Sequence, residues 1–244
     1  MEELRASQRL AILLDYDGTL VPIAATPELA VPDAELLALL AALAARPRTS
    51  VHIVSGRPGD TLDEWFAALH LSLWAEHGVH HRPVGAGGWE TTASAAIDWT
   101  SRILPILEEF TASTPGSMLE QKNASFAFHY RLAEHELGEQ RAHELKVLLE
   151  AAIVDQPLEV LEGKKVLEVR LRGVTKAVVA HRLLAEAGDP PGILAMGDDR
   201  TDEELFAALP PYAVTVAVGS ETTAASYRVA DFRAARELLR TLLD

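Results

Sequence analysis

Short apolar runs without polar alternation constrain this chain more than any other feature. Residues 10–14 and 50–54 (SVHIV) are such runs, each bounded by turn signals, as expected of parallel strands covered on both faces. Between them Pro32-Asp33 opens ELLALLAALAA, a helix with an acid near its N-terminus, which completes a β-α-β unit. Gly56, Pro58 and Gly59 follow the second strand, and Asp60 is placed to cap a helix running through DEWFAALH. LSLWAEHG then reads as a strand. Further on, residues 175–187 read as a helix, GILAMG (192–197) as a strand, TDEELFAAL as a helix and AVTVAV (213–218) as a strand. The alternation predicts an α/β fold with a doubly wound, Rossmann-like parallel sheet.

The middle of the chain follows another pattern. SRILPILEEFTAS and ELGEQRAHELKVLLEAA read as helices. LEQKNASFAFHYR alternates at Phe126, Phe128 and Tyr130, and PLEVLEGKKVLEVRL reads as a hairpin turning at Glu162-Gly163-Lys164. This is an antiparallel α+β unit between two parallel segments. It predicts a smaller inserted cap domain at 99–172 within a core of residues 1–98 and 173–244, with hinges in 91–101 and 172–174.

The bulk numbers narrow the partners. At 244 residues there is room for one large domain or two modest ones, and 48% hydrophobic with 24% charged residues is ordinary for a globular protein. No apolar run reaches the roughly 18 residues needed to span a bilayer. MEELRASQRL leads straight into a strand-like run with no signal-peptide core. The chain has no cysteine, so disulfides and thiolate metal sites are excluded, and a cytoplasmic location is expected. A net charge of −14 argues against nucleic acid and anionic membranes as partners. An anionic substrate would need a local cationic pocket.

Open parallel sheets bind ligands at the carboxyl ends of their strands. Three predicted strand ends carry polar groups: Asp15 and Asp17, Ser55 and Arg57, and Asp198, Asp199 and Asp202. Lys176 opens the helix that precedes the last of these strands. Together they suit a phosphate and Mg²⁺ site. Carboxylates hold a hard cation, lysine and arginine neutralise phosphate oxygens, and a hydroxyl orients one of them. One carboxylate can accept a phosphoryl group as a nucleophile while another protonates the leaving oxygen and then activates water. Each motif alone has a plainer reading: a turn or cap for Asp15-Tyr16-Asp17, a loop for Ser55-Gly56-Arg57, a surface lysine, and an N-cap for the Gly197–Asp202 stretch. All four in order, each at the proper end of an element, make coincidence a poor account.

The motifs resemble those of the haloacid dehalogenase superfamily: DYDGTL the first, VSGR the second, Lys176 the third and GDDRTDEELF the fourth. The finer spelling is similar to the trehalose-phosphate phosphatase family, which shows DYDGTL, SGR, EHG, an ExKxxS…HYR segment, GKKVLEVR and GDDxTDE. Here these stand at Asp15–Leu20, Ser55–Arg57, Glu76–Gly78, Glu120–Arg131, Gly163–Arg170 and Gly197–Glu203. The resemblance implies a Mg²⁺-dependent hydrolase that releases phosphate from trehalose 6-phosphate through an aspartyl-phosphate. By it Asp15 is the nucleophile and Asp17 the acid/base, whose backbone carbonyl also meets the metal. Asp198 ligates Mg²⁺, supported by Asp199 or Asp202. Ser55 and Lys176 bind phosphate, with Arg57 expected to face the same cavity. Glu120, Lys122, Arg131 and Glu168 contact the sugar from the cap, which closes over it. Two departures stand out: Thr175-Lys176-Ala177 replaces the usual Asn-Lys-Gly, and Leu171-Arg172 replaces the proline that commonly follows the hairpin.

Other readings stay open at this point. The core motifs do not separate trehalose 6-phosphate from sucrose, glucosylglycerol or mannosylglycerate phosphates. A non-catalytic phospho-receiver or sugar-phosphate-binding module also uses a strand-end aspartate, though it needs neither a second domain nor the paired aspartates. His77, His80 and His81 are read as structural at a strand end, and His129 as packing, hydrogen-bonding internally or touching substrate. No Walker or dinucleotide-binding glycine motif is present. A monomer is expected, with any synthase a separate polypeptide.

Overall fold

The structure is a computed structural model that describes residues 2–92, 100–121, 125–173, 175–186 and 192–243. In chain order its elements are α1 (Glu2–Ala6), β1 (Leu10–Leu14), α2 (Ala34–Ala45), β2 (Thr49–Val54), α3 (Gly59–Phe66), β3 (Ser72–Ala75), β4 (His80–Arg82) and β5 (Glu90–Thr91). There follow α4 (Thr100–Ser113), β6 (Met118–Gln121), β7 (Ser125–His129), α5 (His135–Ala152), β8 (Leu158–Gly163) and β9 (Val166–Leu171). The chain ends with α6 (Ala177–Glu186), β10 (Gly192–Gly197), α7 (Arg200–Ala208), β11 (Val214–Val218), β12 (Tyr227–Val229) and α8 (Phe232–Arg240). It divides into two compact units, Met1–Thr92 with Thr175–Asp244, and Ala93–Val174.

The first unit holds an eight-stranded sheet in the order β12-β11-β10-β1-β2-β3-β4-β5. The strands from β12 to β3 are parallel, and β4 and β5 add an antiparallel edge. Every residue of β1 is buried, because helices cover both faces. Leu10, Ile12, Leu14 and Tyr16 point into one layer with Leu36, Leu40 and Leu43 of α2 and Leu239 of α8. Ala11 and Leu13 point the other way, into a layer with Val179 of α6 and Leu205 and Phe206 of α7. This is the doubly wound α/β core that the apolar runs predict. Successive strands run from β1 through β2 to β3 in one direction, while β10 lies on the other side of β1. The carboxyl end of β1 is therefore a topological switch point, where such sheets bind ligands.

The second unit is a four-stranded antiparallel sheet, β6-β7-β9-β8, with α4 and α5 on one face. Phe126, Phe128, Leu167 and Val169 pack beneath the helices with Leu107, Leu145 and Leu149. Period-2 alternation turns their neighbours to the opposite face, which carries Glu120, Ser125, His129, Glu168 and Arg170.

Local differences from the sequence reading have identifiable causes. The strand read over LSLWAEHG stops at Ala75, because Glu76, His77 and Gly78 all have positive φ (49°, 58° and 98°). Pro58, not Asp60, is the cap residue of α3, and Asp60 lies inside its first turn. The hairpin turns one residue later than read, at Lys164-Lys165, since Gly163 pairs with Val166 and Lys165 takes the left-handed conformation.

Candidate active site

Asp15 continues β1, its N–H donating to the Met196 carbonyl of β10 at 3.0 Å. Its carboxylate is buried and accepts from Lys176 Nζ at 2.6 Å; the same ammonium donates to Asp202 Oδ1 at 2.8 Å. Asp202 is wholly buried, and its Oδ2 accepts from the backbone N–H groups of Asp198 (3.0 Å) and Asp199 (3.2 Å). Burial raises the pKa of Asp15 and of Asp202, against the pull of Lys176. Burial works against the Lys176 charge as well, yet Asp15, Asp202 and Asp199 together hold it well above the usual lysine range.

Asp198 completes an acidic triad with Asp15 and Asp202, one carboxylate oxygen from each lying within 4.8 Å of the others. Thr19 Oγ1 donates to Asp198 Oδ1 at 3.5 Å. Two glycines make this crowding possible. A Cβ at Gly18, where φ is +85°, would collide with the Asp198 carboxylate, and one at Gly197 with that of Asp202. Oxygen donors in excess over the one ammonium form a set suited to a hard divalent cation.

Asp17 and Asp199 are engaged elsewhere. Asp17 takes a bidentate fork from Arg57, Nη2 to Oδ1 at 2.5 Å and Nε to Oδ2 at 2.7 Å. Arg57 also donates from Nη1 to the Pro27 carbonyl at 2.6 Å and lies over the Trp65 ring. Asp199 caps α7. As a residue it is exposed, but its carboxylate turns onto Thr201, accepting from N and Oγ1, while Asp202 closes the capping box. Although crowding raises it, Lys176 and Thr201 draw the Asp199 carboxyl down to about 2. The plainer reading of Gly197–Asp202 as turn and cap is thus also true of it. Ser55 is buried, its Oγ accepting from the Arg57 N–H at 3.1 Å.

The Glu76–Gly78 turn braces the Ser55–Arg57 loop: Glu76 N–H donates to the Arg57 carbonyl and His77 N–H to the Ser55 carbonyl. The His77 ring fills the space a Cβ at Gly56 would need, and Gly78 abuts Val178 of α6. Thr175 Oγ1 accepts from the Ala177 N–H at 3.2 Å, so threonine and alanine still build the start of α6 around Lys176.

In the second unit, register sets Glu120 opposite Ala127 and Ala127 opposite Glu168. His129 Nε2 lies 2.8 Å from Glu120 Oε2, and Ser125 Oγ donates to Glu168 Oε1 at 2.5 Å. Arg131 stands beyond the end of β7, donating to the Lys164 carbonyl at the hairpin turn. Lys122 lies outside the described residues.

Comparison with known proteins fits this arrangement. The trehalose-phosphatase family model matches residues 13–234. The chain belongs to the trehalose-phosphatase family. A bifunctional trehalose-6-phosphate synthase/phosphatase of Thermoproteus tenax is 44% identical over 98% of this chain and 32% of its own length. A trehalose-phosphatase of Saccharomyces cerevisiae is 36% identical over 86% of this chain and 26% of its own length. The chain thus spans about a third or less of these relatives. Among solved structures, the C-terminal domain of the Candida albicans trehalose-6-phosphate phosphatase superposes with a TM-score of 0.93 at 30% identity, covering 99% of this chain and 94% of that one. A haloacid dehalogenase-like hydrolase from Bacteroides thetaiotaomicron shares the fold at 14% identity, with a TM-score of 0.66 and 96% of this chain and 99% of that one covered.

Two site features escaped sequence reasoning: Thr19 was legible only as part of DYDGTL, and the Arg57 fork not at all. The structural strand-end role read for His77, beside Glu76 and Gly78, takes the form of the brace on the Ser55–Arg57 loop. No helix among the described residues is long and apolar enough to cross a membrane.

Proposed function

We propose that the protein hydrolyses trehalose 6-phosphate to trehalose and phosphate with Mg²⁺. The observation that carries the reading is the Lys176–Asp15 contact at the switch point of the sheet, which sets a cation beside a buried carboxylate where a phosphoryl group would arrive. Asp15 attacks phosphorus, the bond from phosphorus to the sugar oxygen breaks, and Asp17 gives that oxygen its proton. Asp17 then takes a proton from the water that attacks the aspartyl-phosphate, which frees phosphate and restores Asp15. Both Asp17 oxygens are held by Arg57, so the fork opens before Asp17 serves as an acid. Ser55 and Lys176 hold phosphate oxygens. Asp15, Asp198 and the Asp17 carbonyl would hold Mg²⁺, supported by Asp202, and a bound ion would supply neutralisation of phosphoryl charge. Asp199 supports the site through its cap on α7.

Residues 99–172 act as the specificity domain, with Glu120, Lys122, Arg131 and Glu168 reading sugar hydroxyls. The Thermoproteus tenax relative carries synthase and phosphatase in its name, and a synthase activity is the expected supplier of substrate to the phosphatase. The test is phosphate release from trehalose 6-phosphate against sucrose, glucosylglycerol and mannosylglycerate phosphates, with Mg²⁺ and with chelator. Trehalose 6-phosphate should lead the panel in kcat/KM, and chelation should abolish turnover. Preference for another sugar would overturn the substrate.

A further inference from the structure

The sheet face turned away from α4 and α5 presents two carboxylates in a fixed relation. Glu120 on β6 and Glu168 on β9 each pair with Ala127 of the strand between them. Two strand spacings separate their backbones, roughly 10 Å. Ala127 raises only a methyl group between them, so the two longer acidic side chains flank a low floor. Each carboxylate has a tie to a neighbour on the same face: Glu120 Oε2 to His129 Nε2 at 2.8 Å, and Glu168 Oε1 to Ser125 Oγ at 2.5 Å.

A carboxylate is an acceptor only, so both contacts fix direction: His129 presents its Nε2–H and Ser125 its hydroxyl hydrogen. A donor on one oxygen helps set the plane of a carboxylate, whose two oxygens together offer about four acceptor sites. The two ties also come from within the same sheet, Ser125 and His129 being four residues apart on β7 and placed on either side of Ala127. The central strand thereby orients both of its neighbours' acids. Loss of a tie widens the rotamer range a glutamate gives up when the ligand binds, and affinity falls by that cost.

We propose that His129 and Ser125 are positioning residues for sugar recognition, holding Glu120 and Glu168 ready to accept hydroxyl donors from the substrate. The inference rests on the reading of Glu120 and Glu168 as sugar contacts. His129→Leu and Ser125→Ala remove the ties, whereas His129→Gln keeps an N–H donor and Ser125→Thr keeps the hydroxyl. The full chain is assayed with Mg²⁺ on trehalose 6-phosphate and on 4-nitrophenyl phosphate, which has no sugar to read. Each deletion should raise KM for trehalose 6-phosphate by about tenfold, the scale of one immobilised side chain. It should leave kcat for the sugar phosphate, and kcat/KM for the aryl phosphate, within twofold. The conservative variants should recover most of the KM.

Unchanged KM in folded deletion variants would overturn the positioning role while leaving the proposed activity standing. Equal losses on both substrates, or conservative variants that fold but recover nothing, would also overturn it, since they mark a role in packing alone. If the wild-type chain prefers another phosphosugar, the substrate is reassigned and the same split on that sugar decides the positioning role. If it hydrolyses no sugar phosphate, both readings fall together.

Discussion

Lys176 is one ammonium serving two buried carboxylates, and that imbalance sets what its loss would do. Lys176→Met would leave Asp15 and Asp202 without their shared cation in the interior. Removing one partner of a buried ion pair costs about 3–5 kcal/mol. Urea unfolding at pH 7 should show a loss of that size, and adding Asp202→Asn should return part of it, because the asparagine oxygen can still accept from the Asp198 and Asp199 N–H groups. A second substitution that deepens the loss would refute the charge-balance account. Asp15→Asn should reduce turnover to background with the fold intact, as judged by circular dichroism and phosphate release; near-normal turnover would remove Asp15 as nucleophile. Asp15, Lys176 and Asp198 were legible in sequence because each stands at the end of an element with its own strong pattern. The Arg57–Asp17 fork was not, since it depends on how far a long side chain reaches across from the neighbouring strand.

At the scale of elements, the β2-β3-β4 edge carries a buried histidine pair that the chemistry does not use. Trp74 Nε1 donates to His52 Nδ1 at 3.3 Å, and the His81 ring stacks on Trp74 at 3.6 Å with Ser72 Oγ 2.8 Å from its Nε2. Burial lowers both histidines to about 4, with Arg182 adding to the effect at His81 and Glu186 and Glu90 opposing it. The unfolded chain takes up these protons near pH 6.5 while the folded chain resists until about pH 4. Stability is therefore complete above pH 6.5 and falls between 6.5 and 4, by up to about 3 kcal/mol per histidine. Denaturant unfolding at pH 7, 6 and 5 should show this slope, and His52→Gln with His81→Gln should flatten it; an unchanged slope would assign the acid sensitivity to carboxylates. The same edge shows where sequence reading stops. The long apolar runs of β1, β2, β10 and β11 announce themselves, whereas β4, β5 and β12 are two or three residues long and carry almost no periodicity. Three successive positive φ values at Glu76–Gly78 are held by bonds to the Ser55–Arg57 loop, so only Gly78 left a local signal.

For the whole molecule, the decisive fact is that, among the described residues, each unit has its own clusters of buried apolar residues. Two clusters belong to the parallel-sheet unit, and one, running from Ile103 to Leu171, belongs to the antiparallel unit. That division was legible because hydrophobic pattern changes along the chain, from continuous apolar runs to alternation and back. A unit with its own core, its own sheet and two covering helices meets the requirements of an independent domain, though near the lower size limit for one. A fragment of residues 93–174 should therefore fold alone, with far-UV circular dichroism of mixed helix and strand. It should unfold in a single cooperative urea transition worth about 3–5 kcal/mol. Leu145→Ala in that fragment would cost about 2–5 kcal/mol and abolish the transition, since Leu145 is fully buried beneath the sheet. A gradual loss of signal in the unsubstituted fragment would show that the Ile103–Leu171 core draws its stability from the rest of the chain.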